Sequence, residues 1–488
     1  MTLQTLILYI AVAAAILTGV IGLLKKGHKH WVMTFLQNFT GILFIVSGLV
    51  KAIDPMGTAF KMQQYFTEFE YTFKATSASF LAPLFPFLSN ISLLFSVAMI
   101  VFEIVLGLML LLGHKSKLTS WMFLVLVLFF TMLTGFTFLT GYVPGDANFF
   151  DFSAWGPYTE TNMRVTDCGC FGDFIKLVPR ISFFKDLVLL VPAFYFIFRH
   201  KDMHQLFTPK TRSWIVGIAT IILLLFCLRN FYWGLPVIDF RPFKVGTDLY
   251  QKKTAEEEAA ASVKVISMKL KNKQTGEIKE IAYEAYMKDW ASYPKEEWET
   301  IEQVKSKPAI EATKVSEFSI ISPDGFDVTE DILTDSGHVF LIVAYKLDGE
   351  TRQEEVMVPD TTWQMDTITT GDSVMVVKRI ASTSTRKEMR EVYAWDKNYV
   401  AAYTDKVNVL MEDVMKKGAK VYAAAGGAGT EKLASFKQAT GSPYDWYEAD
   451  DILLKTIIRS NPGVVHIKGG KVMEMWHIRH LPKSLSLD

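Results

Sequence analysis

The sequence predicts an α-helical membrane bundle of six transmembrane helices followed by a soluble α/β domain. Half of the 488 residues are hydrophobic, and the mean hydropathy is positive at +0.21. The long apolar runs are confined to residues 1–233, whereas the remainder is charged and built of short alternating segments. Three cysteines are too few for a disulfide scaffold, and a formal net charge of zero argues against a nucleic-acid partner.

The apolar half contains six runs that approach the length needed to cross a bilayer core of roughly 30 Å, about 20 residues each. The runs are 5–24, 32–53, 91–112, 118–140, 181–198 and 213–233. The first run could be a signal peptide. However, no Lys or Arg precedes it and no small-residue cleavage site stands before Lys25, so we predict a retained helix.

The loop charges predict how the chain crosses the membrane, since Lys and Arg collect on the cytoplasmic side. The short connections carry nine basic residues and one acid, Asp202. The basic residues are Lys25, Lys26, Lys29, Lys115, Lys117, Arg199, Lys201, Lys210 and Arg212. Acids outnumber bases in the longer connections, 54–90 and 141–180. We therefore expect a multipass protein with both termini and the soluble domain outside the cytoplasm; in a Gram-negative cell this is a bacterial inner-membrane protein whose soluble domain lies in the periplasm.

The soluble half begins where the composition changes, just after Leu235-Pro236. A hairpin is predicted around Gln274-Thr275-Gly276, and a second unit with alternating strands and helices starts near Glu317. The predicted division is 1–30 for an N-terminal helix, 31–200 for the membrane bundle, 201–233 for the sixth helix, 234–314 for a linker and small β-rich region, and 315–488 for an α/β domain with an insertion at about 347–397.

The strongest candidates for chemistry are Cys168 and Cys170, which the predicted topology places in the outer loop before the fifth helix. That side is oxidising, so a disulfide can form there. Cα atoms two residues apart in an extended chain are roughly 6.5 to 7 Å apart, so a bond between these cysteines requires a turn at Gly169 and holds strain. A strained disulfide is readily reduced and suits exchange with a partner thiol. A structural loop bridge and a metal site remain alternatives.

The membrane half resembles the DoxX/MauE family of redox-associated membrane proteins. The matching features are GILFIVSGLVK at 41–51, EIVLGLMLLLG at 103–113 and the CGCFG loop at 168–172. The resemblance covers about residues 31–200 and implies a four-helix membrane core that handles disulfides or electrons for periplasmic partners. The whole chain further resembles DoxX-type proteins of Bacteroidota that carry a C-terminal thioredoxin-like domain.

Glu103 is a second candidate, because it falls near the middle of the third predicted membrane helix, where an ionisable group is costly. One interpretation is a proton acceptor beside a bound quinone or other small molecule. The other is a neutral packing residue, hydrogen-bonded to a neighbour such as Asn38. The sequence identifies no cofactor; the quinone rests on Glu103 and on the family resemblance.

The resemblance to thioredoxin implies a cis peptide bond at Asn461-Pro462 beside a groove that can bind an extended peptide. The alternative is that Pro462 simply separates a helix from a strand. No cysteine occurs from residue 234 to 488, so this domain cannot perform dithiol exchange itself. Among His466, His477 and His480, only His477 and His480 have an i,i+3 spacing, and no Cys or paired carboxylate joins them, so we expect all three on the surface.

Together these features predict a membrane protein that handles thiol and disulfide equivalents through Cys168 and Cys170. Its inert thioredoxin-like domain would recognise a periplasmic protein through Asn461 and Pro462. The main alternative is a non-catalytic membrane scaffold or assembly factor with a structural CGC loop. A transporter is a third interpretation that rests on Glu103 alone.

Overall fold

The computed structural model describes residues 2–24, 30–165, 169–370 and 373–487, and the chain divides into two compact units, Met1–Arg241 and Pro242–Asp488. The first unit is helical. Its helices are α1 (Leu3–Leu23), α2 (Trp31–Ile53), α3 (Pro55–Lys74), α4 (Leu84–Asn90), α5 (Ser92–Leu112), α6 (Ser116–Leu139), α7 (Pro179–Arg199) and α8 (Pro209–Leu228). Six of these, all but α3 and α4, are long and apolar enough to cross a membrane, which confirms the six predicted helices.

Helix α3 occupies the segment that the sequence assigned to a loop. Asp54 caps its start by accepting a hydrogen bond from the Gly57 N–H at 3.0 Å, and Pro55 stands in the first turn, where its missing N–H has no consequence. One face of α3 is buried, and the Tyr65 hydroxyl on that face lies 2.7 Å from Thr137 Oγ1. The connection between α2 and α5 therefore contains a packed amphipathic helix rather than a loose loop.

The close packing of α2 on α5 depends on two glycines. A Cβ at Gly41 would lie 2.9 Å from the Gly107 carbonyl oxygen, and a Cβ at Gly107 would lie 2.7 Å from the Gly41 carbonyl oxygen. Small residues allow helix backbones to approach each other in a membrane. These glycines bring the polar residues of α2 and α5 within reach of one another.

The second unit contains three sheets and seven helices in the part of the chain that the structure describes. Its first elements are α9 (Leu249–Ala261), β1 (Val265–Asn272), β2 (Ile278–Ala282), α10 (Tyr283–Lys288), β3 (Trp298–Lys305) and α11 (Thr329–Leu333). Strands β1, β2 and β3 form an antiparallel sheet in the order β2-β1-β3, and the β1-β2 pair is the predicted hairpin.

The remaining elements are β4 (His338–Ala344), β5 (Gly349–Thr370), β6 (Ser373–Trp395), α12 (Lys397–Ala402), α13 (Asn408–Lys416), β7 (Lys420–Gly426), α14 (Thr430–Thr440), β8 (Asp445–Ala449), α15 (Asp451–Ile457), β9 (Gly463–Lys468) and β10 (Lys471–His477). They form a five-stranded mixed sheet in the order β10-β9-β4-β7-β8 and a separate long hairpin, β5-β6. Strands β4, β7 and β8 are parallel, whereas β9 and β10 run antiparallel to their neighbours.

The core of the mixed sheet explains why its central strands are apolar throughout. All residues of β4 except His338 are buried, as parallel strands covered on both faces require. The side chains packed against β4 include Tyr403, Leu410 and Phe436 from the helices that follow it. This burial gives a rigid sheet on which the flanking segments are held.

Candidate functional site

Several charged side chains of the membrane unit line one small cavity inside it. It is lined by α2, α3, α5, α6, α7 and the residues that follow Cys168, and its volume is about 50 Å³. The charged side chains on its wall are Lys51, Lys61, Glu103, Lys185 and Asp186. Ionisable groups inside a membrane protein face the bundle interior or a cavity and mark functional positions by default.

The first charged pair is Lys51 with Glu103. The Lys51 ammonium, in the last turn of α2, donates to Glu103 Oε2 on α5 at 2.7 Å, and the side chains are 7% and 3% exposed. The same ammonium lies 4.8 Å from the ring centroid of Phe130. Both charges are buried from bulk solvent, so each depends on the other for compensation.

The second pair is formed by adjacent residues on α7. Lys185 Nζ lies 2.5 Å from Asp186 Oδ1, and Thr134 on α6 donates its hydroxyl to Asp186 Oδ2 at 2.9 Å. Both carboxylate oxygens of Asp186 are thus hydrogen-bonded. The bonds fix the carboxylate and leave the Lys185 ammonium on the cavity wall.

Cys170 belongs to the same cavity, whereas Cys168 lies outside the described residues. Cys170 is half-buried and lines the cavity, and its carbonyl accepts a hydrogen bond from Ser47 Oγ at 2.9 Å. Gly169 has φ +62°, a left-handed conformation that glycine adopts without strain. Burial raises the pKa of the Cys170 thiol above its ordinary value, and the positive charge of Lys185 opposes that rise.

Glu103 does not pair with Asn38, so that part of the prediction is wrong. The Asn38 amide instead donates to Thr18 Oγ1 on α1 at 3.0 Å, while Glu103 accepts from Lys51. The sequence placed both residues at a similar depth but could not fix the rotation of each helix. Glu103 therefore belongs to an ion pair rather than to a neutral hydrogen bond.

The cavity does not fit the quinone that the sequence suggested. A six-membered ring needs a cavity on the order of 150 Å³, whereas a single water needs roughly 10 to 15 Å³. The observed volume of about 50 Å³ accommodates only small molecules such as water. In addition, the carboxylate of Glu103 is already occupied by Lys51.

Asn461 and Pro462 lie in the second unit, immediately before β9. Their peptide bond is cis, as the resemblance to thioredoxin implied. The Asn461 side-chain amide donates to the Lys346 carbonyl at 2.7 Å, and the Tyr399 hydroxyl lies 3.1 Å from Asn461 Oδ1. Asn461 thus connects the start of β9 to the end of β4. The long β5-β6 hairpin follows β4 almost directly, at Gly349.

The polar residues of the cavity that sequence reasoning missed include Lys51, Thr134, Lys185 and Asp186. Three of them are ionisable residues inside or at the end of a predicted membrane helix, the same signal that identified Glu103. Nothing in the linear sequence shows that they share one cavity, because they come from three different helices.

Fold and site together define a multipass α-helical membrane protein with a buried, charged cavity and a separate α/β unit. Residues 29–144 match the family model of methylamine utilisation protein MauE. The matched stretch is therefore similar to that family; it contains Lys51, Glu103 and Thr134 and ends before Cys170 and Lys185. No curated protein and no solved structure matches the chain.

Proposed function

We propose that this protein is a redox-associated membrane protein that exchanges thiol and disulfide equivalents through Cys168 and Cys170. The observation that carries the proposal is the position of Cys170 on a cavity wall shared with the Lys185 ammonium. A cation near a sulfur atom stabilises the thiolate that exchange produces. The similarity of residues 29–144 to the MauE family gives independent support for a redox-associated role.

The proposed step is one disulfide exchange. A partner thiolate attacks Cys168 of a Cys168–Cys170 disulfide, so a partner–Cys168 bond forms while the Cys168–Cys170 bond breaks. The electron pair of the broken bond goes to Cys170 Sγ, which Lys185 stabilises until a solvent proton converts it to the thiol. A second partner thiolate then attacks the mixed disulfide, which leaves an oxidised partner and two reduced cysteines. Exchange with another protein disulfide restores the starting state.

We assign the CGC loop to the periplasmic side of a bacterial inner membrane, and the second unit to partner recognition in the same compartment. The charge distribution of the loops supports the first assignment. The second rests on a thioredoxin-like interpretation of the five-stranded sheet, in which the four adjacent strands β10, β9, β4 and β7 supply the thioredoxin-like strands. The segment at Asn461 and Pro462 would then contact an extended peptide from the partner.

Trapping of mixed disulfides tests this proposal. In cells that produce Cys170→Ser, the Cys168 thiolate can still attack the protein disulfide that reoxidises the loop, and that protein should remain covalently attached to Cys168, because the Cys170 thiol that would displace it has been removed. Cys227→Ser is the matched control, since Cys227 is buried in α8 away from this cavity, and it should behave as wild type. Absence of any discrete, reductant-sensitive adduct in Cys170→Ser would refute the exchange.

A second experiment tests the role of Lys185. Lys185→Met should slow the reaction of the oxidised loop with a small dithiol severalfold, because the departing Cys170 thiolate loses a cation that stabilises it. Lys176→Met removes an equal charge from an exposed position in the same loop and should leave the rate unchanged. Equal rates in both variants would show that Lys185 does not assist the exchange. The exchange function itself would then be tested by the trapping experiment alone.

The second candidate is a non-catalytic membrane scaffold or assembly factor. It is favoured by the β5-β6 hairpin, which occupies the position after β4, and by the absence of cysteine from residues 234–488. On this view, cells that produce the Cys168→Ser, Cys170→Ser double variant behave as wild type in growth assays. Cells that produce a chain without the β5-β6 hairpin behave as cells that lack the protein. The reverse pattern supports exchange.

A further inference from the structure

A second pocket, of about 670 Å³, opens where α6 and α8 begin. Its wall includes His114, Lys115 and Lys117 from the α5-α6 connection and Arg212 from α8. None of the lining side chains in the described part of the chain is Asp or Glu. The pocket therefore has a positive electrostatic potential that no neighbouring carboxylate offsets.

Arg212 is the buried centre of this positive charge. It is 5% exposed, donates from Nη1 to the Gly113 carbonyl and from Nη2 to Gln205 Oε1, and its Nε has no hydrogen-bond partner among the described residues. No carboxylate of those residues forms an ion pair with it. A buried cation without a counter-ion is unfavourable, so an anion in the pocket would stabilise it.

The start of α6 adds further donors to the pocket. Lys115 precedes its first residue, Ser116, in a left-handed conformation with φ +41°, and its side chain forms no cap. The first-turn N–H groups of a helix have no intrahelical partner, and that end of the helix carries a partial positive charge. Lys115 and Arg212 also lower the pKa of His114, after the larger effect of its burial, which reflects the same positive potential.

Apolar side chains flank the charged part of the pocket. Leu118 and Trp121, three residues apart on α6, are 49% and 51% exposed and lie on the pocket wall. In a membrane-spanning helix, exposed apolar side chains face lipid, and Trp is enriched at the interface with the headgroups. A ligand in this pocket thus meets cationic groups at one end and a lipid-facing apolar surface at the other.

We infer that this pocket binds the phosphate headgroup of an anionic phospholipid. The phosphate contacts Lys115 and Lys117 and is attracted by the positive charge of the buried Arg212 guanidinium on the pocket wall, and an acyl chain lies along Leu118 and Trp121. Basic pockets between membrane helices are suited to such headgroups. Free inorganic phosphate shares the chemistry of the headgroup but would gain nothing from the apolar flank, so the two ligands can be told apart.

The test is native mass spectrometry of the full-length protein in a non-ionic detergent, titrated with phosphatidylglycerol or with phosphatidylcholine. Phosphatidylglycerol should bind more tightly. The double variant Lys115→Asn, Lys117→Gln should weaken its binding by roughly 25-fold, because each lysine near an anionic surface contributes a factor of about five. The control variant Lys201→Gln, Lys210→Gln also removes two exposed positive charges, but from outside the pocket, and should leave the affinity unchanged.

Fluorescence of the same samples gives a second measurement, because phosphatidylglycerol with brominated chains should quench Trp121. The quenching should be lost in Trp121→Phe and reduced in the lysine double variant. Equal binding of the two lipids, or equal weakening by both double variants, would overturn the inference. Full displacement of phosphatidylglycerol by millimolar inorganic phosphate would show that the site takes a free anion and would overturn the lipid assignment.

Discussion

Replacing Glu103 with Gln should destabilise the membrane unit strongly, because it leaves the Lys51 ammonium buried without a charge partner. The two side chains are 7% and 3% exposed and their charged atoms lie 2.7 Å apart. At an effective dielectric constant of about 20, two unit charges at this separation attract by about 6 kcal/mol. Removing one partner of a buried pair typically costs about 3 to 5 kcal/mol, since desolvation of the remaining charge is no longer offset.

The expected loss can be measured as a fall in the midpoint of thermal unfolding of the detergent-solubilised protein. For a unit of this size, 1 kcal/mol shifts the midpoint by roughly 2 to 4 °C, so Glu103→Gln should lower it by about 6 to 20 °C. Glu160→Gln makes the same chemical change at an exposed position and should have almost no effect. Both midpoints are read from tryptophan fluorescence in the same detergent.

A double variant separates the charge effect from packing. Lys51→Met with Glu103→Leu replaces the pair by apolar side chains of similar size and should recover most of the stability lost in Glu103→Gln. The residual cost should be small, because the interaction of the Lys51 ammonium with the Phe130 ring, which this variant also removes, is weak. A double variant as unstable as the single one, or a Glu103→Gln protein within 1 kcal/mol of wild type, would refute this account of the buried charge.

Three further predictions follow from the packing and from the pKa shifts. Gly107→Ala should destabilise by about 1 to 3 kcal/mol because its Cβ meets the Gly41 carbonyl, whereas Gly217→Ala, with open space around it, should not. Burial lowers the pKa of His466 to about 4. As the pH falls below 6.5, the unfolded chain therefore binds a proton on this residue before the folded chain does, and folding becomes less favourable. Hydrogen exchange in β9 should report a loss of about 1 to 3 kcal/mol in the free energy of unfolding by pH 4. In Cys168→Ser, alkylation of Cys170 should keep accelerating above pH 9 because burial raises its thiol pKa; a plateau at lower pH would contradict this.

The sequence was most informative where one periodic signal decides an element by itself. About 20 consecutive apolar residues suffice to identify a membrane helix, and all six such runs became helices within a few residues of their predicted bounds. The β1-β2 hairpin was likewise identified from its alternation and its turn residues. These features depend on local sequence alone.

Features that depend on packing between distant segments could not be predicted in the same way. Lys51 and Glu103 are 52 residues apart, and their pairing depends on the rotation that the Gly41-Gly107 contact imposes on α2 and α5. The segment at 54–90 was assigned to a loop because its hydropathy is too low for a membrane helix, yet it forms α3, whose buried face packs inside the unit.

The histidines of the last hairpin show the same limit. His466 and His477 were expected on the surface, but both are buried, at 8% and 7% exposure, so that expectation was wrong. Strand β9 lies between β4 and β10, and His466 stacks on Phe340 while its Nε2 lies 2.8 Å from His338 Nδ1. Alternation along one strand cannot show that both faces of that strand are covered.

The two pockets of the membrane unit differ in their charge balance, and this difference separates their roles. In the small cavity, Lys51 is paired with Glu103 and Lys185 with Asp186, so a thiolate that appears on Cys170 is an added and transient charge. In the pocket at the start of α6 and α8, the positive charges have no acidic partner on the pocket wall, which favours a permanently bound anion. Salt screens exposed charges far more than buried ones. Raising the ionic strength should therefore weaken lipid binding at Lys115 and Lys117 while leaving the stability contributed by the Lys51–Glu103 pair nearly unchanged.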